Sequence, residues 1–446
     1  MLVRDVRRLA LFIGPIIVIL YLGWACFHSS TVSAKVDGWW KHAFPPDSTP
    51  DPAPAPAGDQ KLTPPPPPNQ DSDGSAPESH HEVFSASTAD RKYFRIVMGN
   101  EEAMNPNIIP HPLQDDTWVV VAQRQGAAKT MHFSELVCYA SFEGGVLRCN
   151  NSPAILPVEP TTGITCDGEL AVLAINVGPH DARVLYGPGT PYVVYGSNSR
   201  FTCFGQWVQD FGTLMEWAAD AEHKSSGGFT QGTEMQRPGP YGRLEKNWFL
   251  FWDDKEEVYA HYSVAPTRAF AKLEADGSVG EDLAPLAALA GDEKCIAKYM
   301  PKLTTEAESI HQATNSLSIT MCQRSDPSCL PDASNTFVFT IFQHKSYHEW
   351  HSVYEPYVML FKQQAPFGLH AISQKPVWIH GRSVTDKGQD EMFYVVSMSW
   401  KMRSQKYHGY LDDVLFVAFG IEDKDTAGID VVAGDLLAGL GLCSNA

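Results

Sequence analysis

Short runs of apolar and β-branched residues recur from about residue 90 to the end of the chain, and they predict a protein built mainly of β-strands. The runs alternate with clusters of Gly, Pro, Asp and Asn, a pattern typical of antiparallel strands joined by turns. The clearest runs cover residues 118–122, 193–195, 248–252, 336–342, 393–397 and 414–418. Helical periodicity is sparse, and the candidate helices are residues 213–221 and 283–290, the second interrupted by Pro285.

Polar residues beside these runs recur at a nearly regular spacing. Intervals of 69, 66, 65 and 69 residues separate five of them: His111, His180, Lys246, His311 and His380. Each unit is long enough for a four-stranded sheet with its loops, and five such units fill the region. We therefore predict an all-β protein with a five-bladed β-propeller over residues 90–446, and a β-sandwich of similar length is the alternative.

An apolar segment near the amino terminus predicts a membrane anchor. Residues 9–27 are 19 uncharged residues that follow three arginines, and 19 residues are long enough to cross a bilayer as one helix. The basic flank places residues 1–8 in the cytosol and the rest of the chain across the membrane, in type II topology. The alternative is a cleaved signal peptide ending near residues 32–34, but its apolar region would exceed the usual length of about 7 to 15 residues.

The segment after the predicted anchor is rich in proline. Residues 45–77 contain 12 Pro in 33 residues and almost no apolar side chains, so no core can form there. We predict that residues 28–89 form an extended stalk that holds the following domain away from the lipid bilayer. A disordered tail without a spacer function is the alternative.

Composition narrows the class of partner. The chain has 34 Lys and Arg against 52 Asp and Glu, a net charge of −18, which excludes nucleic-acid binding driven by net charge. Hydrophobic residues make up 43% of the chain, which excludes general disorder. Aromatic residues at 11% are typical of a strand-rich protein or of a surface that contacts sugars. Composition therefore predicts an acidic, aromatic-rich globular protein.

Cysteine usage indicates an oxidising compartment. Nine cysteines are present, and eight of them follow the predicted anchor. Their short spacings favour local bridges between Cys138 and Cys149 and between Cys322 and Cys329, although eight cysteines allow about a hundred pairings. The absence of CxxC spacing argues against a zinc site. Asn150 begins a glycosylation sequon, which Pro153 weakens.

The most distinctive polar motif is GPHDAR at residues 178–183. Asp181 can take the proton of a sugar hydroxyl, while His180 and Arg183 beside it keep its carboxylate ionised. A buried structural Asp–Arg pair is the alternative. We predict that Asp181 is a catalytic residue with His180 and Arg183 as substrate-binding neighbours.

A second motif, EKNW at residues 245–248, joins a cation to an aromatic face at the start of an aromatic strand. Lys246 can bind a phosphate group, Asn247 can bind a sugar hydroxyl, and Trp248 can stack on a sugar ring. The alternative is a strand end with a salt bridge.

A third motif, YHGYLDD at residues 407–413, precedes an apolar strand. We predict Asp412 as a second catalytic residue, with His408 and Asp413 as substrate-binding residues. Residues 423–425 match a DxD pattern that can hold a divalent metal, but so short a match is weak, and we expect Glu422 and Asp423 to be turn residues. A ring of further polar residues is expected around the site: His111, Gln123, Gln343, His344 and Arg382.

Several motifs together carry a family resemblance. Asn105-Pro106, His111-Pro112, HDAR at 180–183, EKNW at 245–248 and HGYLDD at 408–413 resemble fungal membrane-anchored proteins of the five-bladed propeller type. These are related in pattern to β-mannoside phosphorylases and β-1,2-mannosyltransferases. The phosphorylases carry Glu and Pro where this chain has His180 and Ala182, whereas Asp181 and Arg183 agree.

The resemblance implies an inverting reaction on a carbohydrate or glycoconjugate substrate, with mannose as the suggested sugar. Asp181 would be the general base, with Arg183, Lys246 and Arg382 binding an anionic leaving group. An anchor, a stalk and an oxidised domain are the layout of Golgi glycosyltransferases, which favours a single-pass membrane protein that uses a nucleotide sugar and requires no divalent metal. One alternative is a glycoside hydrolase or phosphorylase, and a hydrolase would need a second carboxylate. The other alternative is a non-catalytic carbohydrate-binding propeller.

Overall fold

A computed structural model describes residues 76–125, 133–163, 166–174, 178–215, 217, 228–348, 351–384 and 389–446. The predicted cytosolic tail, the anchor at 9–27 and most of the predicted stalk lie outside these residues, as does most of the predicted helix at 213–221. Within the described ranges, none of the helices has the length and apolarity needed to cross a membrane.

Strands dominate the described chain, which confirms the mostly β prediction. In chain order they are β1 (His81–Val83), β2 (Phe94–Val97), β3 (Ala103–Pro110), β4 (Trp118–Arg124), β5 (Glu135–Glu143), β6 (Val146–Cys149), β7 (Ala154–Ile155), β8 (His180–Tyr186), β9 (Pro191–Asn198), β10 (Phe204–Asp210), β11 (Thr233–Glu234), β12 (Phe249–Trp252), β13 (Val258–Ser263), β14 (Ala269–Lys272), β15 (Ser309–Thr320), β16 (Thr336–His348), β17 (His351–Lys362), β18 (Leu369–Ser373), β19 (Val377–Ile379), β20 (Phe393–Trp400), β21 (His408–Tyr410), β22 (Val414–Ile421), β23 (Asp425–Val432) and β24 (Leu440–Leu442).

Among the described residues, helices are few and short: α1 (Ala284–Leu289), α2 (Asp292–Tyr299), α3 (Ala433–Leu436), and 3₁₀ turns at Gly168–Ala174, Phe211–Thr213 and Cys443–Asn445. Helix α1 falls within the predicted range 283–290. Pro285 lies in its first turn, where the missing N–H has no helical partner in any case. Helix α2 was not predicted, because its polar residues give only a weak apolar face.

Five groups of antiparallel strands form the domain. They are β3-β4-β5-β6, β8-β9-β10-β11, β12-β13-β14, β15-β16-β17-β18 and β20-β22-β23-β2. The first strand of each group contacts first strands of other groups, and β2 closes the last group while also pairing with β6 of the first. This is the topology of a five-bladed propeller, and we call β3, β8, β12, β15 and β20 the inner strands.

The predicted regular spacing of the units is wrong. The inner strands begin at residues 103, 180, 249, 309 and 393, so the intervals range from 60 to 84 residues. His180 opens an inner strand and His311 lies near the start of another, whereas His111 follows the end of β3 and His380 follows β19. The last interval is the longest because β19 and its flanking loops are inserted before β20.

The fold also begins earlier than the predicted end of the stalk at residue 89. Strand β1 pairs in parallel with β19. His80 Nε2 is hydrogen-bonded to Glu355 Oε1 at 2.8 Å, and the buried Ser85 hydroxyl donates to Asp430 Oδ1 at 2.5 Å. A three-residue strand with one buried side chain gives too short a pattern to be recognised in the sequence.

Side-chain amides join neighbouring inner strands, which do not form backbone ladders with one another. Asn107 on β3 donates to Ala182 O at 2.8 Å and accepts from Val184 N at 3.0 Å, both on β8. Asn315 on β15 makes the same two-sided contact with the backbone of Met398 on β20, at 3.0 and 2.9 Å. Each carboxamide therefore replaces one peptide unit of a missing ladder.

Serine hydroxyls complete the connections. Ser399 on β20 donates to Ile108 O on β3 at 2.5 Å, and Ser316 on β15 donates to Leu250 O on β12 at 2.6 Å. All these donors are buried. The centre of the domain is thus closed by polar contacts, while the apolar cores lie between the sheets.

Four disulfides are present: Cys138–Cys149, Cys166–Cys203, Cys295–Cys443 and Cys322–Cys329. The two local bridges favoured by the sequence are confirmed, and the two long-range bridges were not predicted. Four bridges indicate folding in an oxidising compartment of the secretory pathway or outside the cell.

Replacing Asn107 by Ala tests the amide connections. The change leaves the buried N–H of Val184 and carbonyl of Ala182 without their partner, so we expect the free energy of unfolding to fall by about 2 to 4 kcal/mol. Urea denaturation measures this value. The control is Asn151→Ala at an exposed position, which should change it by less than about 0.5 kcal/mol.

Candidate active site

Irregular pairing marks the inner strands at one end of the domain. Four of the five lose register against the second strand of their sheet, between Met104 and Asn107, His180 and Arg183, Gln312 and Ser316, and Val395 and Ser397. Each shift lies in the amino-terminal half of its strand. Bulges of this kind redirect side chains and are frequent beside active sites.

Three residues at these strand starts have a left-handed backbone. The φ angles are 55° at Asn105, 51° at Asp181 and 63° at Asn247. Asn and Asp adopt this conformation more readily than other residues with side chains, although it remains unfavourable. Unfavourable backbone angles gathered in one place are typical of functional sites.

Asp181 is the central carboxylate of this group. Asn105 Nδ2 donates to its Oδ1 at 3.2 Å, and its own backbone N–H donates to Gln123 Oε1 at 3.0 Å. Its side chain is partly exposed, and its Oδ2 accepts no hydrogen bond from any residue that the structure describes. The geometry therefore leaves one carboxylate oxygen available to a ligand.

Arg183 binds protein groups rather than a ligand. Its Nε donates to Ala313 O at 2.7 Å, Nη1 to Asp181 O at 3.0 Å and Nη2 to Asn247 Oδ1 at 2.9 Å. The residue is 3% exposed. The predicted role of Arg183 in binding an anionic leaving group is corrected: this guanidinium joins β8, β15 and the residue preceding β12.

Arg382 is also buried, at 2% exposed. Its Nε donates to Glu391 O at 2.8 Å, and its guanidinium carbon lies 4.8 Å from the ring centre of Trp378. Its side chain is one of the largest fully buried in the domain. Its Nη2 is buried and has no hydrogen-bond partner among the described residues, and its predicted contact with a leaving group stays a prediction.

Trp248 belongs to the core. It is 1% exposed and packs edge-to-face against Tyr262 at 4.7 Å between ring centres. No face of its ring is open to a sugar, so its predicted stacking role is wrong. An aromatic residue at a strand start reads the same in sequence whether its side chain points inward or outward.

Lys246 lies at the surface beside the site. It lines a hollow of about 160 Å³ together with Asn247, His311 and Gln312. Gln312 Nε2 donates to Asn247 O at 2.9 Å, which fixes one wall of the hollow. Lys246 and His311 are thus placed to meet an anionic group close to Asn247.

His180 is buried between Phe133 and Phe204, with ring centres 3.9 and 5.3 Å away. Burial lowers the pKa of its imidazole to about 4. The ring is therefore neutral at physiological pH, which corrects the prediction that a cationic His180 keeps Asp181 ionised. Its ring offers the site a neutral polar group within an apolar wall.

Glu135 is a residue of this site that the sequence did not reveal. Its side chain is fully buried, and its Oε1 accepts a hydrogen bond from Ala182 N at 3.2 Å. Burial raises the pKa of its carboxyl group to about 8, and the nearby Asp181 adds to the shift. Glu135 is therefore protonated at neutral pH. A lone acidic residue opening an apolar run was its only signal in the sequence.

His344 lies at the same end of the domain, on the second strand of its sheet. It pairs with Ile310 across β15 and β16 and forms ion pairs with Glu308 at 3.3 Å and Glu355 at 3.8 Å. The pair with Glu355 raises the pKa of His344. Burial opposes ionisation of Glu355, but contacts with His344 and His80 lower its pKa to about 2. His344 is thus held within a charge network.

Four predicted residues lie at the opposite end of the domain. His408 pairs with Ser318 near the carboxyl end of β15, Asp412 accepts from the backbone of residues 324 and 325, Asp413 binds Arg324, and His111 follows the end of β3. Strand β15 separates this end from His311 by roughly 25 Å. The prediction that Asp412 acts on the same sugar as Asp181 is therefore wrong.

Two further predictions concern the surface. Asn150 is exposed, as a glycosylated residue must be, and accepts a hydrogen bond from Ser141 Oγ at 2.6 Å. Glu422 and Asp423 have left-handed backbones in the turn between β22 and β23. Across the described ranges, no three His, Cys, Asp or Glu side chains are grouped closely enough to bind a metal ion.

Comparison with known proteins gives similarity only at the level of structure. No protein-family model and no curated protein sequence matches the chain. Among solved structures, β-1,2-mannobiose phosphorylase from Listeria innocua is 11% identical with a TM-score of 0.41, covering 81% of this chain and 97% of the other. MPT-4, a mannose phosphorylase from Leishmania mexicana, is 11% identical with a TM-score of 0.39, covering 76% and 88%.

MPT-1, a GDP-Man-dependent mannosyltransferase from Leishmania mexicana, is 8% identical with a TM-score of 0.38. The match covers 76% of this chain and 89% of the other. Similarity at these values concerns the arrangement of the strands and does not extend to the chemistry of the site.

The buried Glu135 predicts a dependence of stability on pH. Its pKa of about 8 in the fold exceeds the ordinary value of 4.5, so folding takes up a proton between these values and stability falls as the pH rises. In the wild type the free energy of unfolding falls by up to about 1.4 kcal/mol per pH unit. Glu135→Gln removes this fall, because glutamine does not ionise, while its amide oxygen still accepts from Ala182 N.

Urea denaturation of both proteins at pH 5 and pH 8 measures the effect. We expect the variant to gain stability relative to the wild type on going from pH 5 to pH 8. The control Glu143→Gln changes an exposed residue at the other end of β5 and should follow the wild type at both pH values. A pH-independent difference for Glu135→Gln would show that the carboxyl group is already ionised in the fold.

Proposed function

We propose that this protein is an inverting glycosyltransferase that transfers a sugar, with mannose as the candidate, from a nucleotide sugar to a glycan. The observation that carries the proposal is the carboxylate of Asp181, held by Asn105 at the meeting point of the inner strands with one oxygen left for a ligand. A positioned carboxylate of this kind is suited to accept a proton from a sugar hydroxyl.

In the proposed reaction, Asp181 Oδ2 takes the proton of the acceptor hydroxyl as its oxygen attacks the anomeric carbon of the donor sugar. A new C–O bond forms on one face while the bond to the phosphate oxygen breaks on the other. The electron pair leaves with the nucleoside diphosphate. A single displacement of this kind inverts the configuration at the anomeric carbon.

Charge distribution around Asp181 supports a one-carboxylate reaction. Glu135 is buried and protonated, so it supplies neither a nucleophile nor a second negative charge. Glu245, also near the site, is bound by Arg237 and by the backbone of Gly242. Among the described residues of this group, Asp181 is thus the carboxylate placed to exchange a proton with a ligand.

The leaving group would bind beside Asn247. Lys246 and His311 line the hollow there, and an ammonium group binds phosphate as a point charge. Preorganised positive charge at this position would stabilise the negative charge that develops on the leaving phosphate.

The proposed cellular location is inferred from the disulfides and from the amino-terminal sequence. Four disulfides indicate the secretory pathway. An anchor at residues 9–27 and a proline-rich stalk would place the enzyme in the Golgi or another secretory membrane, in type II topology.

A second candidate is a phosphorylase or hydrolase acting on mannosides. The observation that favours it is the internal use of Arg183 and Arg382, which leaves few cations for a nucleoside diphosphate. A hollow of about 160 Å³ suits a single phosphate better than a diphosphate with its nucleoside.

Asp181→Asn tests the proposed base. We expect release of nucleoside diphosphate to fall about 10² to 10⁴-fold, because the amide cannot accept the proton, while the nucleotide sugar still binds. Released nucleotide measures turnover and thermal stabilisation measures binding. The control is Asp116→Asn, an exposed aspartate whose φ of 52° nearly equals the 51° of Asp181.

Parallel assays with mannosides, in the presence and absence of inorganic phosphate, separate the two candidates. Turnover of mannosides without any binding of nucleotide sugars would overturn the transferase proposal. Equal turnover by Asp181→Asn and the wild type would overturn the assignment of the base for both candidates.

A further inference from the structure

The YHGYLDD motif, which lies far from Asp181, forms part of a second cleft. This cleft has a volume of about 840 Å³ and lies at the carboxyl-terminal ends of the inner strands. Its walls include Pro188 after β8, Asp253 after β12 and residues 404–407 after β20. The volume falls in the range of about 300 to 1,000 Å³ that is common for small-ligand sites.

The wall around the motif is rigidly built. Arg324 makes two hydrogen bonds to Asp413, at 2.9 and 2.7 Å, and its guanidinium carbon lies 4.3 Å from the ring centre of Tyr410. Asp412 accepts from the backbone of Arg324 at 2.6 Å. The Cys322–Cys329 bridge closes the same loop. Asp412, predicted to be catalytic, and Asp413, predicted to bind substrate, therefore hold a loop that shapes this cleft.

Gln405 supplies an independent sign of a ligand. It lines the cleft and is 7% exposed, yet its Oε1 is buried and has no hydrogen-bond partner among the described residues. An amide oxygen that loses water without gaining a donor is costly, and such groups are rare in folded proteins. The rest of this side-chain amide lines the cleft and forms no hydrogen bond with the described residues, so a ligand in the cleft can pair with the amide.

The polar groups of the cleft indicate the class of ligand. Carboxylates of Asp254, Glu256 and Asp332 line it together with the cationic side chains of Arg324 and Lys406. The carboxylates, which accept hydrogen bonds, therefore outnumber the cationic side chains. This arrangement disfavours binding of an anionic ligand and favours a ligand with many hydroxyl donors. Arg324 and Lys406 can donate to the oxygens of the same ligand.

We propose that this cleft binds a neutral oligosaccharide at a site separate from Asp181. A sugar hydroxyl pairs with the side-chain amide of Gln405, and further hydroxyls donate to the carboxylates at the rim. The two sites lie at opposite ends of the inner strands, so one glycan unit cannot occupy both. This proposal stands without any assumption about the reaction at Asp181.

Hydrogen exchange of the full chain, followed by mass spectrometry, tests the proposal. The probes are neutral tetrasaccharides of mannose, glucose and N-acetylglucosamine, with an acidic heparin tetrasaccharide and calcium ions as comparisons. We expect at least one neutral probe to slow exchange in residues 253–256 and 404–410. Exchange in residues 180–184 reports separately on the Asp181 site.

Two variants locate the binding. Gln405→Leu removes the buried acceptor at similar size, and Asp254→Ala removes an exposed carboxylate with little risk to folding. We expect the first to weaken binding at least 10-fold and the second to weaken it several-fold. The control Glu306→Ala changes an exposed residue outside the cleft and should bind as the wild type does.

Three outcomes would overturn the proposal. They are protection by calcium or heparin but by no neutral probe, protection confined to residues 180–184, and unchanged binding in both Gln405→Leu and Asp254→Ala. Protection of the cleft without turnover at Asp181 would support this site while contradicting the proposed enzyme, so the two proposals fail separately.

Discussion

The domain depends on how its five inner strands are held together without a shared backbone ladder. Each carries buried peptide groups on the side facing the centre, and a buried peptide group without a partner is costly. Asn107 and Asn315 meet this demand by acting as inserted peptide units, and Arg183 meets it by donating to three acceptors from different parts of the chain. The centre of the fold is therefore polar, because its polar side chains satisfy buried peptide groups. They stabilise the fold whether or not a ligand is bound.

This constraint also creates the candidate site. Where an inner strand bulges, it turns a side chain out of the alternating pattern, and Asn105 and Asp181 have a left-handed backbone at two of these bulges. Asn247 has a left-handed backbone just before β12, a strand without a register shift. Arg183 then binds the main chain of Asp181 and the side chain of Asn247, so the network that closes the centre also fixes the positions of the ligand-facing groups. Stability and site geometry are therefore coupled, and a change to Arg183 should disturb both.

The sequence was informative where the signal was apolar alternation or cysteine spacing. It predicted a mostly β protein, five units and two disulfides. It also singled out Asp181 from its local motif, and the catalytic role of this residue stays a prediction. It could not show which polar side chains point inward, because a bulge reverses the alternation on which such an inference rests. Strand starts are ambiguous for a different reason, because an aromatic or acidic residue there can point either way. Trp248 was expected to face a sugar and lies in the core, while Glu135 went unnoticed. Asp412 was grouped with Asp181 because sequence spacing does not tell which end of a strand a motif occupies.

The central claim is that the partly exposed carboxylate of Asp181 meets a sugar at the amino-terminal ends of the inner strands. A crystal structure of the chain with a bound mannoside, determined for the Asp181→Asn variant to prevent turnover, tests it most directly. The account predicts a sugar hydroxyl within about 3 Å of the side-chain atom that replaces Oδ2, with Asn105 still bound to the other. A sugar bound only at the opposite end of the domain, or residue 181 turned away from the bound sugar, would contradict it.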